Sequence, residues 1–519
     1  VPLGRGTYIP DISTAEPCRS HCSHLDIAGS NRNKKIICAL RKVTVARIRR
    51  DAIFHFITMR KIQPGPRRKL TVLSLAAATY FMVSGGPYGM EELVQDAGYK
   101  LAIVILFLTP LIWSLPTGLM VGELAAALPA EGGFYVWVRR AMGPFWGFQE
   151  AWLSLVASIF DMAIYPTVFV LYLGRLWPAL TEGHRGVAIA AAMILVCLLW
   201  NLLGAKAVGN GSILLGTLML SPFLLITVYA FFRHITLGAP PSTQGSFLTG
   251  ILVAMWNYMG WDNASTVANE VENPQKTYPR VMLLTLAAIF LSYVIPVAAV
   301  WHLHVQTDVW STGSWASIAT MVVGPWLGIT LVGAAMISEF GTFNSLVMSY
   351  SRLPVAMAED GHLPKIFTRK LKNGAPWVAI IVLGIAWAAS LGLTFDKLIM
   401  LDILLYGASL VLEFLALIVL RIREPQLVRP FRVPGGIPGA IALGVGPTAL
   451  LVIALVKNRG EQLDLGRLGS VSQLGFGLAL MALGVVYYFV AGRPSSETAS
   501  GAENDFYLKK KSVKDVGLK

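Results

Sequence analysis

The chain has 519 residues, of which 55% are hydrophobic and only 14% charged, with a mean hydropathy of +0.60. A soluble protein carries about 25% charged residues, so a soluble globular chain is excluded. The net charge of +14 does not mark a nucleic-acid partner, because residues 1–69 hold a surplus of +11, residues 492–519 of +2 and the body between them of +1.

Residues 1–69 read as a disordered basic tail without helical or strand period. The chain begins with Val1, and Met59-Arg60-Lys61 followed by a short basic stretch is how a membrane protein of this kind usually starts. Residues 1–58 are therefore expected to be an upstream translation or an unstructured arm with few contacts to the rest. The basic stretch from Arg60 to Lys69 suits the cytoplasmic face, near anionic lipid. Cys18, His21, Cys22 and His24 bring ligand types together but lack a second pair at zinc spacing, so no metal or other cofactor is expected.

Residues 70–491 read as the transmembrane domain, and 492–519 as a cytoplasmic tail. Runs of about 20 apolar residues, each long enough to cross ~30 Å of hydrocarbon, recur along this body. The first begins at Leu70 and meets Ser84-Gly85-Gly86-Pro87-Tyr88-Gly89. Proline lacks an amide hydrogen and clashes with the preceding turn, and each glycine costs about 1 kcal/mol relative to alanine in a helix, so the helix breaks here. The second span is expected over Leu101–Ala127, the third over Pro144–Leu173, the fourth over Val187–Leu203 and the fifth, without lysine, over Ser212–Phe232. The sixth, Phe247–Ala268, is interrupted at 257–263. Spans seven to ten lie near Val281–Trp301, Gly324–Ser349, Trp377–Leu393 and Leu398–Leu420, and two more near Gly439–Val456 and Leu474–Val490 complete twelve. With the amino terminus inside, the inner loops hold fourteen lysines and arginines, Arg421 and Arg423 among them, against eight outside. That bias puts both termini in the cytoplasm of a multi-pass protein of the plasma or inner membrane.

Broken backbone at membrane depth is tolerated only where protein or a watery cavity supplies partners. Two such breaks, five spans apart, point to an inverted repeat with a substrate site between the halves. The predicted fold is an all-α polytopic membrane protein with twelve transmembrane helices, spans 1–5 and 6–10 as the repeats and two extra helices at the end.

Three stretches resemble the amino acid–polyamine–organocation transporters: Leu124–Trp152, then Trp256–Pro279, then Met357–Pro364. The resemblance covers about 70–490. Val83–Glu91 and Phe160–Pro166 are most similar to the plant-type polyamine uptake and L-type amino acid branch. In the eighth span, Phe340–Tyr350 departs from the more acidic pattern of the polyamine members. The resemblance implies a LeuT-type fold with broken helices 1 and 6. It also implies secondary active transport of amino acids or polyamines by proton-coupled uptake or exchange. The alternatives are a nutrient receptor that kept the fold and lost transport, and an intramembrane enzyme, for which no nucleophile–base pair or metal cluster is apparent.

The expected substrate contacts are Ser84, Gly85, Gly86, Pro87, Tyr88 and Gly89 at the first break, Asp161 in span three, and Trp256, Tyr258, Gly260 and Trp261 at the second. Amides and the positive helix end at the first break suit a substrate carboxylate, unless Glu91 and Glu92 satisfy that end internally. Trp256 resembles the family position that stacks on the substrate, and an ammonium over such a ring gains about 0.5–2 kcal/mol. The membrane body carries acids without matching bases, and such acids are costly and usually functional. Asp262, Glu123 and Glu339 are the candidates for carrying the coupled proton, while Glu150 and Glu413 read as end-of-span or packing features. The expected partners are a small amino acid or polyamine, a proton and the lipid bilayer.

Overall fold

The computed structural model describes residues 69–232, 246–391, 395–457, 460, 462–464 and 470–490. The two expected tails, with the Cys18–His24 cluster and all of the basic stretch except Lys69, lie outside the described residues. Among the described residues, nine helices are long and apolar enough to cross a membrane, and Val72–Val83 and Trp377–Ala389 are shorter apolar helices.

The first helix, α1 (Val72–Val83), starts at Thr71, whose hydroxyl accepts the Ser74 amide at 3.4 Å while the Ser74 hydroxyl accepts the Thr71 amide at 2.8 Å. This reciprocal cap satisfies two backbone donors that a helix start leaves open. The helix stops at Ser84 and resumes as α2 (Glu91–Thr109). Within α2, Gly98 takes φ 69° and ψ 161°, which turns the half-helix before it into the second span. Pro110 cannot donate, and the span loosens into one π-turn, Pro110–Ser114, before α3 (Leu115–Ala127). A short amphipathic helix, α4 (Phe134–Met142), leads into α5 (Pro144–Leu176). With 33 residues α5 is ~50 Å long, more than a ~30 Å hydrocarbon layer requires.

The chain continues through α6 (His184–Asn201), α7 (Ala205–Phe232) and α8 (Phe247–Trp256). After Trp256 the backbone turns, and the second half of this span consists of two 3₁₀ turns, Trp261–Thr266 and Ala268–Glu270. Then follow α9 (Pro274–His302), α10 (Trp315–Val322), α11 (Pro325–Tyr350), α12 (Leu353–Glu359), α13 (Trp377–Ala389), α14 (Phe395–Arg423), α15 (Gly436–Lys457) and α16 (Gln473–Val490). Helix α5 packs on α11 and α14, and α1 packs on α7, α9 and α11, so the two breaks sit inside a ring of long helices.

The structure corrects the expectation in three places. Helix α7 begins at Ala205, seven residues before the expected start of the fifth span at Ser212. Helix α14 runs on to Arg423, because Arg421 is buried against an acid and extends the span instead of ending it. Finally, the fold is not purely helical: β1 (Gln462–Asp464) and β2 (Ser470–Ser472) pair antiparallel, Gln462 opposite Ser472, between α15 and α16.

The breaks touch each other. Asn257 donates its side-chain amide to the Gly89 carbonyl at 3.2 Å. The Tyr293 hydroxyl, from α9, lies 2.6 Å from Ser84 Oγ and 2.8 Å from the Asn257 carbonyl, so one side chain joins the two breaks. Gly260 has φ +91°, and a Cβ there would lie 2.3 Å from the Met82 carbonyl oxygen. The left-handed backbone alone costs a non-glycine residue about 1–2 kcal/mol. Gly143 has φ +98° with nothing within 4 Å of its notional Cβ. Gly260→Ala should therefore lower the thermal unfolding midpoint in detergent well beyond Gly143→Ala, the difference measuring the contact between the breaks. Equal midpoints would show that the breaks are not held in this contact.

Candidate functional site

Between the breaks lies a cavity of about 40 Å³, room for a few waters. Its wall includes Ser84 and Gly85 from the first break, Trp256, Asn257 and Gly260 from the second, Asp161 and Tyr165 from α5, Tyr350 from α11, and Asp402 and Tyr406 from α14. A second cavity of about 40 Å³ shares Gly85, Tyr165, Trp256 and Asn257 with the first and adds Tyr88, Gly89, Tyr172 and Glu339.

The polar wiring around the first cavity is short and directional. The Tyr165 hydroxyl donates to Asp161 Oδ1 at 2.6 Å, across one turn of α5. The Tyr406 hydroxyl donates to Asp262 Oδ1 at 2.5 Å and accepts the Gly260 amide at 3.0 Å. Tyr406 is thus both cavity wall and tether for the acid behind it. Among the described residues no hydrogen-bond donor reaches the Asp402 carboxylate, although the residue is only 4% exposed. No lysine or arginine is among the residues lining either cavity.

The first break resolves the question left by Glu91 and Glu92. Glu91 is fully buried; its Oε2 accepts the Gly89 amide at 2.7 Å and its Oε1 accepts the Tyr172 hydroxyl at 3.1 Å. Glu92 accepts the Thr312 hydroxyl at 2.5 Å. Ser84 Oγ accepts the Gly86 amide at 2.9 Å. The positive end of the half-helix is therefore occupied by the protein's own carboxylate.

The expected contact residues divide. Ser84, Gly85, Asp161, Trp256 and Gly260 line the first cavity, and Tyr88, Gly89 and Glu339 the second. Gly86, Pro87, Tyr258 and Trp261 line neither. Gly86 faces Met219, and the Pro87 carbonyl accepts the Trp315 indole at 2.9 Å. Tyr258 is fully buried edge-on to Tyr293, with ring centroids 5.1 Å apart, and Trp261 donates its indole to the Tyr258 carbonyl at 2.9 Å. Tyr258 leaves the cavity at the tight turn that ends α8, where its amide donates to the Met255 carbonyl, and Trp261 at the 3₁₀ turn that follows Gly260. Glu413 is not at a span end: it stands in the interior of α14, fully buried, and neither of its oxygens has a partner. Glu150, also fully buried, and Glu413 both feel the charge of Asp262.

Glu123 shows that one intramembrane acid does have bases. It is fully buried; Arg421 grips it with Nε at 3.0 Å on Oε1 and with a second, shorter contact from Nη2 to Oε2. Arg429 Nε lies 3.2 Å from Oε1, and the Val433 amide donates to Oε2 at 2.7 Å. The reading of acids without bases missed this cluster because Arg421 was counted in a loop.

Sequence reasoning also passed over Asp402, Tyr406 and Asn257 as individual site residues. Asp402 falls within the expected tenth span but is not among the acids counted there. The available signal was its spacing of four from Tyr406, which puts the two on one helix face.

Residues 71–464 match the amino acid permease family. The chain is 33% identical to the polyamine transporter RMV1 of Arabidopsis thaliana over 398 residues, covering 75% of this chain and 80% of that protein. It is 33% identical to the polyamine transporter PUT1 of Oryza sativa subsp. japonica, covering 76% of this chain and 75% of the relative. It is 29% identical to the serine/threonine exchanger SteT of Bacillus subtilis (strain 168), covering 62% and 76%. Long apolar helices and this family match together define a multi-pass membrane transporter rather than an enzyme. The chain belongs to the amino acid permease family.

The buried pair at Glu123 makes a direct prediction. Removing one partner of a buried ion pair costs about 3–5 kcal/mol, because the other charge is left behind. Glu123→Gln and Arg421→Met should each lower the thermal midpoint in detergent steeply, and the double variant should recover part of the loss. A double variant whose loss equals the sum of the singles would show that the two charges do not depend on each other.

Proposed function

We propose that the protein is a secondary active transporter of polyamines, working by alternating access around the paired breaks. The observation that carries this reading is the mismatch of charge at the site. The first cavity is lined by Asp161 and Asp402 without a lysine or arginine, while the half-helix end that would greet a substrate carboxylate already holds Glu91. An acid pair buried without a base is too costly to keep unless a proton or a cation meets it. An organic cation without a carboxylate answers both features. An amino acid would bring a carboxylate to a break where the Gly86 and Gly89 amides already have side-chain acceptors. The family membership and the two polyamine-transporter relatives support the same choice.

In this reading the chain forms a LeuT-type bundle of twelve spans with both termini cytoplasmic. Asp161 and Asp402 hold the substrate ammonium, and Trp256 offers its ring to the chain beside it. Asp262 carries the coupled proton. It sits behind Tyr406, hydrogen-bonded to a cavity residue yet outside the cavity wall.

Proteoliposomes containing the full chain separate these roles. Asp161→Asn and Asp402→Asn should each raise the KM for putrescine and spermidine by about tenfold or more, the equivalent of ~1.4 kcal/mol. Asp262→Asn should abolish accumulation driven by a pH gradient while leaving putrescine–putrescine exchange intact. Uptake of neutral amino acids but not polyamines by the unaltered protein would overturn the substrate assignment. Unchanged pH-driven accumulation in Asp262→Asn would remove that residue from coupling.

A further inference from the structure

The second cavity has an acid of its own. Glu339, on α11, lines it, is 7% exposed, and receives no hydrogen bond from a described residue. Among the described residues no ion pair reaches it, and Glu91 at the first break has its own oxygens already engaged by Gly89 and Tyr172. Glu339 is therefore a buried carboxylate with an open face toward the cavity and no internal cation. The same description fits Asp402 in the first cavity.

The two cavities lie end to end. Tyr165 and Trp256 belong to both walls. On α5, Asp161 faces the first cavity, Tyr165 the junction, and Val168 and Tyr172 the second. From Asp161 to Tyr165 an α-helix rises ~6 Å, and to Tyr172 ~16 Å. The combined space is thus an elongated trough with Asp161 and Asp402 on the wall of one part, Glu339 on the wall of the other, and the rings of Tyr165 and Trp256 common to both. On α11, Glu339 faces the second cavity and Thr342, three residues on, the first, so this helix runs alongside the same trough.

We propose that Glu339 is a second cation pole. Asp161 and Asp402 take one ammonium of the substrate, Glu339 takes the other, and Trp256 and Tyr165 cover the methylene chain between them. The site then selects linear α,ω-diamines and polyamines over monoamines, and selects among them by the number of methylenes between charges. This proposal rests on the polyamine reading given above and adds to it a residue that sets the substrate's length.

The test uses the full chain in proteoliposomes. Inhibition of labelled putrescine uptake is measured with diamines of three to eight carbons and with the n-alkylamine of each same length. For the unaltered protein, diamines near the optimum length should inhibit about tenfold more strongly than the matching monoamines. Glu339→Gln should erase that advantage by weakening the diamines, with monoamine inhibition unchanged. Glu339→Asp, which draws the carboxylate back toward α11, should keep a diamine advantage and move the optimum to a longer chain. A merely structural role for Glu339 would not shift that optimum.

Equal loss for monoamines and diamines in Glu339→Gln would overturn the proposal, as would an unchanged diamine advantage or an unshifted optimum in Glu339→Asp. If the unaltered protein transports putrescine yet shows no diamine advantage, the second pole falls alone. If no amine is transported or inhibits, the polyamine reading falls and this inference with it.

Discussion

The structure depends on a backbone that cannot go unpaired. A helix broken inside hydrocarbon leaves amides and carbonyls that water cannot reach, each costing several kcal/mol. Here each break supplies the other. Asn257 reaches the Gly89 carbonyl, Tyr293 meets both Ser84 and the Asn257 carbonyl, and Tyr406 receives the Gly260 amide. Gly260 presses its backbone onto the Met82 carbonyl, where only glycine fits. The cavity exists because these contacts hold two interrupted helices apart by a side chain's width without letting either straighten.

That constraint explains how the acids are distributed. Side chains that serve the break, such as Glu91, have their oxygens spoken for by local donors. Side chains that serve the fold's end, such as Glu123, are paired with arginine. Asp402 and Glu339 fit neither class, and both line the cavities, whereas Glu413, also without a partner among the described residues, is buried away from both. Buried acids that line a cavity without an internal base are, in membrane proteins generally, the groups that mark substrate and ion pathways.

Much of this was legible in the sequence. The positions of both breaks followed from Gly85, Gly86, Pro87 and Gly89 and from the interruption at 257–263, because backbone chemistry is local. Helix existence followed from apolar runs, with ends shifted by a few residues where caps rather than hydropathy decided. What was hidden was the rotational setting of side chains around a break. Tyr258 and Trp261 sit beside Trp256 in the chain, yet only Trp256 lines the cavities, since the tight turn at the end of α8 and the 3₁₀ turn after Gly260 both depart from the angle per residue of an α-helix. Ion partners were hidden for another reason. Glu123 and Arg421 are far apart in sequence, and an arginine near an apolar run looks like a loop residue until its carboxylate is found.

Glu91 has a further consequence for the protein's surroundings. Helix ends that open onto a substrate site commonly attract whatever anion is abundant, so chloride or a buffer carboxylate competes there. In this chain the Gly89 amide and the Tyr172 hydroxyl close over an internal carboxylate. The positive end of this half-helix is consequently filled from within, and a free anion such as chloride would have to displace a buried carboxylate to reach it.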